Sequence, residues 1–207
     1  MKITLTVLIT IFFFFSVFGV NENSRVICES LDWNKISIAW NNFKENPSEI
    51  NAGILIEFFP KNIIVSADEI DAHRPILDNI YNNLDILERR ILNGSNMSVE
   101  IGLRLFAVAD GAFSEELSIM MGLYLNSNIE RFLEIMSNYP LLIEPLLESF
   151  LVSVRPELLG DLQAVIRELE NRRKILGCVQ KKSLQSLKNK CLYLIDKNLK
   201  ELKELSN

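Results

Sequence analysis

The fold is decided by residues 99–152, which read VEIGLRLFAVADGAFSEELSIMMGLYLNSNIERFLEIMSNYPLLIEPLLESFLV. Apolar segments follow one another here with few polar residues between them, and we predict a short helix in each. Helices of about three turns are marginal alone and become stable when they bury an apolar stripe against neighbours. The stretch therefore predicts an all-α protein. The four helices are expected over residues 99–109, 115–125, 129–139 and 142–152, with Ser98 and Ser114 as N-caps of the first two.

The residues before this stretch continue the helical pattern. Asp32 is expected to cap a first helix, and Asn46 a second one with Pro47 at its first helical position. Pro75 suits the start of a third, longer helix, which Asn93-Gly94 would end. All three helices therefore have start or stop signals in the sequence. The first carries an apolar face of Trp33, Ile36, Trp40 and Phe43, the second one of Ile50, Ile54, Leu55, Phe58 and Phe59, and the third one of Ile76, Ile80, Leu84, Leu87 and Ile91.

The residues after the stretch predict two longer helices. One begins at Pro156 and ends at Gly177, and the last begins near Ser183. The whole chain then holds eight or nine helices with short connections. We predict an irregular helical bundle or an α-solenoid-like array of short antiparallel helical hairpins. We expect a single domain over residues 20–207, with a basic C-terminal hairpin over residues 156–205.

The N-terminal residues 1–19 have the composition of a secretory signal peptide. Lys2 supplies a positive charge, and the run from Ile3 to Val17 is apolar apart from three threonines and one serine. We expect cleavage after Gly19 and export of the chain, either to a periplasm or out of the cell. The alternative is an uncleaved anchor, because the run approaches the roughly 18 residues that a membrane span needs.

Charge is distributed unevenly along the chain. The sequence has 22 basic and 27 acidic side chains, yet residues 167–207 hold 11 basic and five acidic ones. An acidic body with a basic end argues against a nucleic-acid-binding protein, in which basic charge usually defines the main face. We expect the basic end to be solvated or to dock on acidic groups of the chain itself. The alternative is a contact between the basic C-terminal helix and an anionic lipid or polymer surface.

Three cysteines, at positions 28, 178 and 191, suggest a disulfide in an exported chain. Cys178 ends one predicted helix and Cys191 lies within the next, so an antiparallel hairpin could bring the two together. We predict a Cys178–Cys191 disulfide, whose short loop would contribute about 3 kcal/mol. The alternatives are that Cys191 is a buried free thiol, or that Cys28 is the partner of one of the others.

The sequence offers no recognisable catalytic or metal-binding pattern. His73 is the only histidine, and a lone histidine without paired cysteines does not make a usual zinc site. The carboxylates at Asp68-Glu69 with Asp71, and at Glu115-Glu116, are expected at helix starts, where the helix dipole explains them. Ser66 and Glu69 have the spacing of a capping box. We therefore predict no catalytic residue, no metal ligand and no cofactor.

Two further groups of residues have two interpretations each. The aromatic residues of the first two helices either pack in the core or line a pocket for an apolar ligand. Asn93-Gly94-Ser95 and Asn96-Met97-Ser98 have the pattern of N-glycosylation sites, which applies only in a eukaryotic secretory protein. The ligand-lining candidates are Trp33, Trp40, Phe43, Phe58 and Phe59.

The function that these features favour is an exported, non-enzymatic interaction or scaffold module of the cell envelope or periplasm. The alternative is a carrier that holds an apolar small molecule or lipid between its helices. A third hypothesis, an enzyme with dispersed carboxylates, has no catalytic signature to support it. The expected partner is a protein of unknown identity, and the membrane is contacted only through an uncleaved signal segment or the basic C-terminal helix.

Overall fold

A computed structural model describes residues 31–59, 61 and 65–206 of the chain. Within these residues, all regular structure is helical: eleven α-helices and two short 3₁₀-helices, without any strand. The prediction of an all-α fold is therefore confirmed. The predicted signal peptide and Cys28 lie outside the described residues.

The described residues divide into two compact units, one ending at Asn128 and the other beginning at Ile129. The first unit holds helices α1 (Trp33–Glu45), α2 (Glu49–Phe58), α3 (Ala67–Ala72), α4 (Arg74–Tyr81), α5 (Leu84–Leu92), α6 (Asn96–Leu105) and α7 (Gly111–Ser127). The second holds α8 (Ile129–Met136), α9 (Pro140–Val152), α10 (Leu162–Gly177) and α11 (Gln185–Leu205), with 3₁₀-helices at Pro156–Leu158 and Lys182–Leu184.

The core of the first unit forms where α2 packs against both α1 and α6, and where α7 packs against α5 and α6. The apolar stripe of α1 is almost completely buried, with Ile36, Trp40 and Phe43 inaccessible to solvent. Gly102 in α6 leaves room for a neighbouring helix, because a Cβ atom there would lie 2.6 Å from the terminal methyl of Met121. The predicted apolar face of α1 is thus the face that builds the core.

In the second unit, α10 and α11 form a hairpin, and both helices pack against α9. The α9 residues Leu147 and Phe150 are fully buried, and the Phe150 ring meets Phe132 of α8 edge to face with centroids 6.4 Å apart. The predicted stripes of α10 and α11 contribute Leu169 and Ile195 to this core. The basic C-terminal hairpin is therefore an integral part of the second unit.

A buried arginine closes the C-terminal end of one helix in each unit. In the first unit, Arg104 Nη1 donates to the carbonyl oxygens of Ile56 and Phe59, at 2.7 and 2.5 Å. In the second unit, Arg172 Nη1 donates to the carbonyl oxygens of Leu151 and Ser153, both at 2.9 Å. The last carbonyls of a helix lack the N–H partner of the helix interior. The Ile56 carbonyl also accepts the Phe59 N–H at 3.3 Å, and each arginine adds donors to the end of its helix.

Three of the predicted N-caps differ from the structure, and the helix predicted from Pro156 begins only at Leu162, after the 3₁₀-helix Pro156–Leu158. Ser95 rather than Ser98 caps α6, and it accepts the Ser98 N–H at 3.1 Å. Asp110 rather than Ser114 precedes α7, which begins three residues earlier than the expected cap. In α2 the cap is Ser48 rather than Asn46, because the chain enters the helix only after Pro47. The predicted caps at Asp32 and Ser66 are confirmed, since each accepts the backbone N–H three residues on.

The predicted Cys178–Cys191 disulfide is not formed, and both thiols are free. Cys191 lies on the buried stripe of α11, whereas Cys178 follows the end of α10 with its thiol exposed. The Cys178 thiol instead donates to the carbonyl of Lys174 at 3.4 Å. Burial raises the pKa of the Cys191 thiol to about 12, so this thiol stays protonated and unreactive in the folded chain.

Candidate functional site

The candidate site is an apolar surface on the hairpin of α1 and α2. Asp32 and Ser48 cap the two helices, so each helix begins at a defined residue. The turn between them is held by Asn51, whose side-chain amide donates to the carbonyls of Asn42 and Asn46 at 3.2 and 2.8 Å. These bonds fix the start of α2 against the end of α1.

Three isoleucines of this hairpin point away from the core. Their exposed fractions are 55% for Ile38, 75% for Ile50 and 41% for Ile54. The other apolar residues of α2 include Ala52 and Leu55, which are buried against the rest of the unit. Single exposed apolar side chains are ordinary on a protein surface, so their positions relative to one another decide their meaning.

Two contacts across the hairpin set the register between α1 and α2. The Lys35 ammonium lies 5.9 Å from the centre of the Phe58 ring, and Asn51 reaches the carbonyl of Asn42. The two contacts are seven residues apart on each helix, at Lys35 and Asn42 on α1 and at Phe58 and Asn51 on α2. Ile38 lies between them on α1 and Ile54 on α2. The two isoleucines therefore occupy the same stretch of the hairpin, and Ile50 follows Ile54 by one helical turn. We call Ile38, Ile50 and Ile54 the isoleucine patch.

Charged residues stand at the two ends of the isoleucine patch. At one end Lys35 pairs with Asp32 at 2.9 Å. At the other end Glu49, next to Ile50, pairs with Arg90 of α5 at 2.9 Å. An apolar centre with polar ends is the arrangement typical of protein-binding surfaces.

Ile50 and Ile54 were predicted on the apolar face of the second helix, whereas the spacing of the first helix did not include Ile38 in its apolar face. The available signal was that α2 is apolar on nearly every side, with Ile50, Ile54, Ile56 and Phe58 in ten residues. A helix packed on one side of a hairpin cannot bury all of these positions. The excess of apolar residues therefore indicated an exposed apolar face.

The predicted ligand-lining aromatic residues take different places. Trp33, Trp40, Phe43 and Phe59 are buried, whereas Phe58 is half-buried beneath Lys35. The indole N–H of Trp40 has no hydrogen-bond acceptor among the described residues, although its side chain is inaccessible to solvent. An unpaired buried donor costs about 1–3 kcal/mol. Among these five aromatic residues, Trp40 is therefore the one whose buried N–H has no acceptor among the described residues.

His73 belongs to a cluster that fastens α3 to the start of α1. Its ring stacks on Trp33, with centroids 4.7 Å apart, and its Nδ1 lies 2.9 Å from the Glu69 carbonyl oxygen. Glu69 Oε1 accepts the Trp33 indole N–H at 2.8 Å and the Leu31 backbone N–H at 2.9 Å. The predicted capping box is thus half formed, because this carboxylate binds Trp33 of α1 and Leu31 just before α1 instead of its own helix.

The two carboxylate groups singled out in the sequence are placed differently. Asp68 and Glu69 lie in the first turn of α3, as expected, whereas Glu115 and Glu116 lie one turn inside α7. Partial burial raises the pKa of the Glu116 carboxyl, and the charges of Glu115 and Glu88 raise it further. Among the described residues, no cluster of three or more histidine, cysteine or acidic side chains is arranged to hold a metal ion.

The basic C-terminal hairpin contacts acidic groups of its own unit. Lys181 pairs with Glu134 of α8 at 2.5 Å, and Lys197 pairs with Glu148 of α9 at 3.1 Å. Lys190 also pairs with a carboxylate of α9, that of Glu144. The Glu134 carboxylate raises the pKa of the Lys181 ammonium through its hydrogen bond and its charge. These lysines are therefore engaged within the unit.

No helix within the described part of the chain is both long and apolar enough to cross a membrane. Compared with protein-family models, with curated proteins and with solved structures, the chain matches none of them significantly.

Proposed function

We propose that the protein is an exported, non-enzymatic interaction module of the cell envelope, the periplasm or the extracellular space. Its helices would form the predicted irregular bundle or solenoid-like array, and the isoleucine patch would bind a partner protein. The observation that carries this proposal is the placement of Ile38, Ile50 and Ile54 on one exposed side of a short, firmly capped hairpin.

A partner gains binding free energy at this surface by covering the exposed isoleucines. Burying apolar surface contributes about 25 cal/mol per Å², and side chains that are already held in place lose little further entropy on binding. The capped ends of α1 and α2 hold the backbone of the isoleucine patch in a fixed shape. A partner that covers Ile50, the most exposed of the three, therefore gains more from it than from either of the other two.

The experiment compares charge insertion inside and outside the isoleucine patch. The variant Ile50→Lys/Ile54→Lys places two ammonium groups in the patch, and Leu159→Lys/Tyr193→Lys is the matched control in the second unit. The control residues are 40% and 69% exposed, close to the values of the pair they match. Each tagged protein is used for affinity capture, with cross-linking, from the envelope and secreted fractions of its own cells.

We expect the native chain and the control variant to capture the same partner, and the patch variant to capture at least tenfold less of it. The reason is that a lysine in the patch must be desolvated on binding. Far-UV circular dichroism should be the same for all three proteins, since the substituted side chains are exposed. Equal capture by the patch variant and the control would exclude the isoleucine patch as the binding surface. A strictly monomeric protein that captures nothing would contradict the interaction function itself.

A carrier of an apolar small molecule is the second candidate, and the buried indole N–H of Trp40 favours it. A ligand with a carbonyl or hydroxyl oxygen could accept this hydrogen bond while its apolar part packs among the aromatic residues. Such a ligand would remove the free-energy cost of the unpaired donor.

The chain has only two tryptophans, so each can be made the sole fluorescent reporter. We expect native mass spectrometry to find a co-purified apolar molecule, and its re-addition to change the fluorescence of a Trp33→Phe protein, in which Trp40 remains. The Trp40→Phe protein is the control and should respond weakly. A native chain with no bound molecule, and no thermal shift with lipids, would contradict the carrier function.

A further inference from the structure

The first N-glycosylation pattern, Asn93-Gly94-Ser95, forms the turn between α5 and α6. Asn93 is the C-cap of α5, and Gly94 follows with φ of +86°. The Gly94 N–H donates to the carbonyl of Ile91 and the Ser95 N–H donates to that of Arg90, which is the bond pattern of a Schellman turn. This turn holds Asn93 at the surface, where its side chain is exposed.

The second pattern, Asn96-Met97-Ser98, lies wholly inside α6. Asn96 is the first residue of this helix, and Ser98 is completely buried. The two patterns also share their hydroxyl groups, since Ser95 Oγ donates to Ser98 Oγ at 2.9 Å. Once α6 has formed, both hydroxyls are buried at its start, so recognition of either pattern must precede folding.

We propose that Asn93 is the acceptor of an N-linked oligosaccharide. The Asn93 amide nitrogen would attack the anomeric carbon of an oligosaccharide carried on a polyprenyl pyrophosphate. The bond from that carbon to the phosphate oxygen breaks, a carbon–nitrogen bond forms, and the lipid pyrophosphate leaves as the amide loses one proton. This proposal rests on the export of the chain that we proposed above.

Three features favour Asn93 over Asn96. In the folded chain the space beside Asn93 is open, because a Cβ atom built on Gly94 meets nothing within 4 Å. The Asn93 side chain makes no hydrogen bond to other described residues, so a sugar on its amide displaces none, whereas Asn96 has an interaction to lose. Asn93 also enters the lumen first, and a glycan there hinders access to a second acceptor three residues on.

The experiment is cell-free translation of the full chain in the presence of microsomes. Protease protection reports translocation, and a gel shift that peptide N-glycosidase reverses reports the glycan. We expect a protected chain with one glycan, which the Asn96→Gln variant retains and the Asn93→Gln/Asn96→Gln variant loses. Mass spectrometry of the intact glycopeptide from the native chain should locate the sugar at position 93.

The outcomes separate this proposal from export itself. A protected chain without a gel shift would overturn the glycosylation of Asn93 and leave export intact. A glycan at Asn96 of the native chain in place of Asn93, or loss of the gel shift in Asn96→Gln, would also overturn it. A chain that remains open to protease would overturn both, since the donor and the chain would then never meet.

Discussion

Replacement of Arg172 by alanine is expected to lower the free energy of unfolding by about 3–4 kcal/mol. The side chain is 1% exposed and donates to the carbonyls of Phe150, Leu151 and Ser153, which end α9. Alanine leaves these buried acceptors without their donor and opens a cavity between α9 and α10. Urea unfolding followed by far-UV circular dichroism measures the loss, and hydrogen exchange should rise at residues 150–153.

Two variants separate the possible causes of this loss. Arg172 Nε also bonds Glu168 at 3.1 Å, and burial lowers the pKa of the guanidinium while Glu168 partly restores it. Glu168→Gln keeps an acceptor and removes the charge, so we expect it to cost much less than Arg172→Ala. A loss as large as that of Arg172→Ala would assign the stabilisation to the ion pair instead of the carbonyls.

Arg173→Ala is the control at the adjacent position. Arg173 pairs with Asp196 at 2.5 Å, but both side chains are at least half exposed to water. Exposed ion pairs contribute little to stability, because water solvates the separated charges almost as well. We expect the midpoint of unfolding to change only slightly. Equal losses for Arg172→Ala and Arg173→Ala would contradict the role of burial.

The sequence predicts best where one local feature decides the structure. Asp32 and Ser66 have oxygen atoms placed to accept the N–H three residues on, and both cap their helices. Gly94 adopts a positive φ that most other residues avoid, so the predicted end of α5 at Asn93-Gly94 is confirmed. These features require only a few neighbouring residues.

The sequence predicts less well where a side chain competes with the backbone. The apolar spacing from Ile76 to Ile91 predicted one long helix, but α4 ends at Tyr81 and α5 begins at Leu84. The Asn83 side chain donates to the carbonyl of Asn79 at 2.7 Å and replaces the backbone donor of a continuous helix. The spacing of apolar residues does not indicate that a side chain will replace a backbone donor at this carbonyl.

The isoleucine patch depends on which side of α2 the rest of the chain covers. Local spacing places Ile50 and Leu55 in the same apolar helix, yet Leu55 is fully buried and Ile50 is mostly exposed. This difference arises because α1 and α6 pack on α2, a choice made by residues far apart in sequence. The presence of the helix and its excess of apolar residues were therefore predictable, whereas the side of the helix that stays exposed was not.

Replacement of Arg104 by alanine is expected to lower the free energy of unfolding by about 2–3 kcal/mol. Arg104 connects α6 to the end of α2 through the carbonyls of Ile56 and Phe59, and its Nη2 donates to Glu100 at 2.5 Å. Without these bonds the Phe59 carbonyl loses this donor and the Ile56 carbonyl keeps only the Phe59 N–H at 3.3 Å, so the packing of α2 on α6 loosens. Both tryptophans of the chain lie in this unit, so tryptophan fluorescence during urea unfolding follows it directly.

Arg89→Ala is the matched control within the same unit. Arg89 pairs with Asp85 with the same four-residue spacing that separates Glu100 from Arg104, but its side chain is 70% exposed against 10% for Arg104. The two variants remove the same chemical group from helical ion pairs of the same spacing. They differ in burial, in the contacts of Arg104 to the α2 carbonyls, and in the second partner that Glu100 has in Lys61. If Arg104→Ala costs no more than Arg89→Ala, the carbonyls of α2 do not need the donor. A loss confined to Arg104→Ala would mean that this largely buried arginine stabilises the first unit by completing the end of α2.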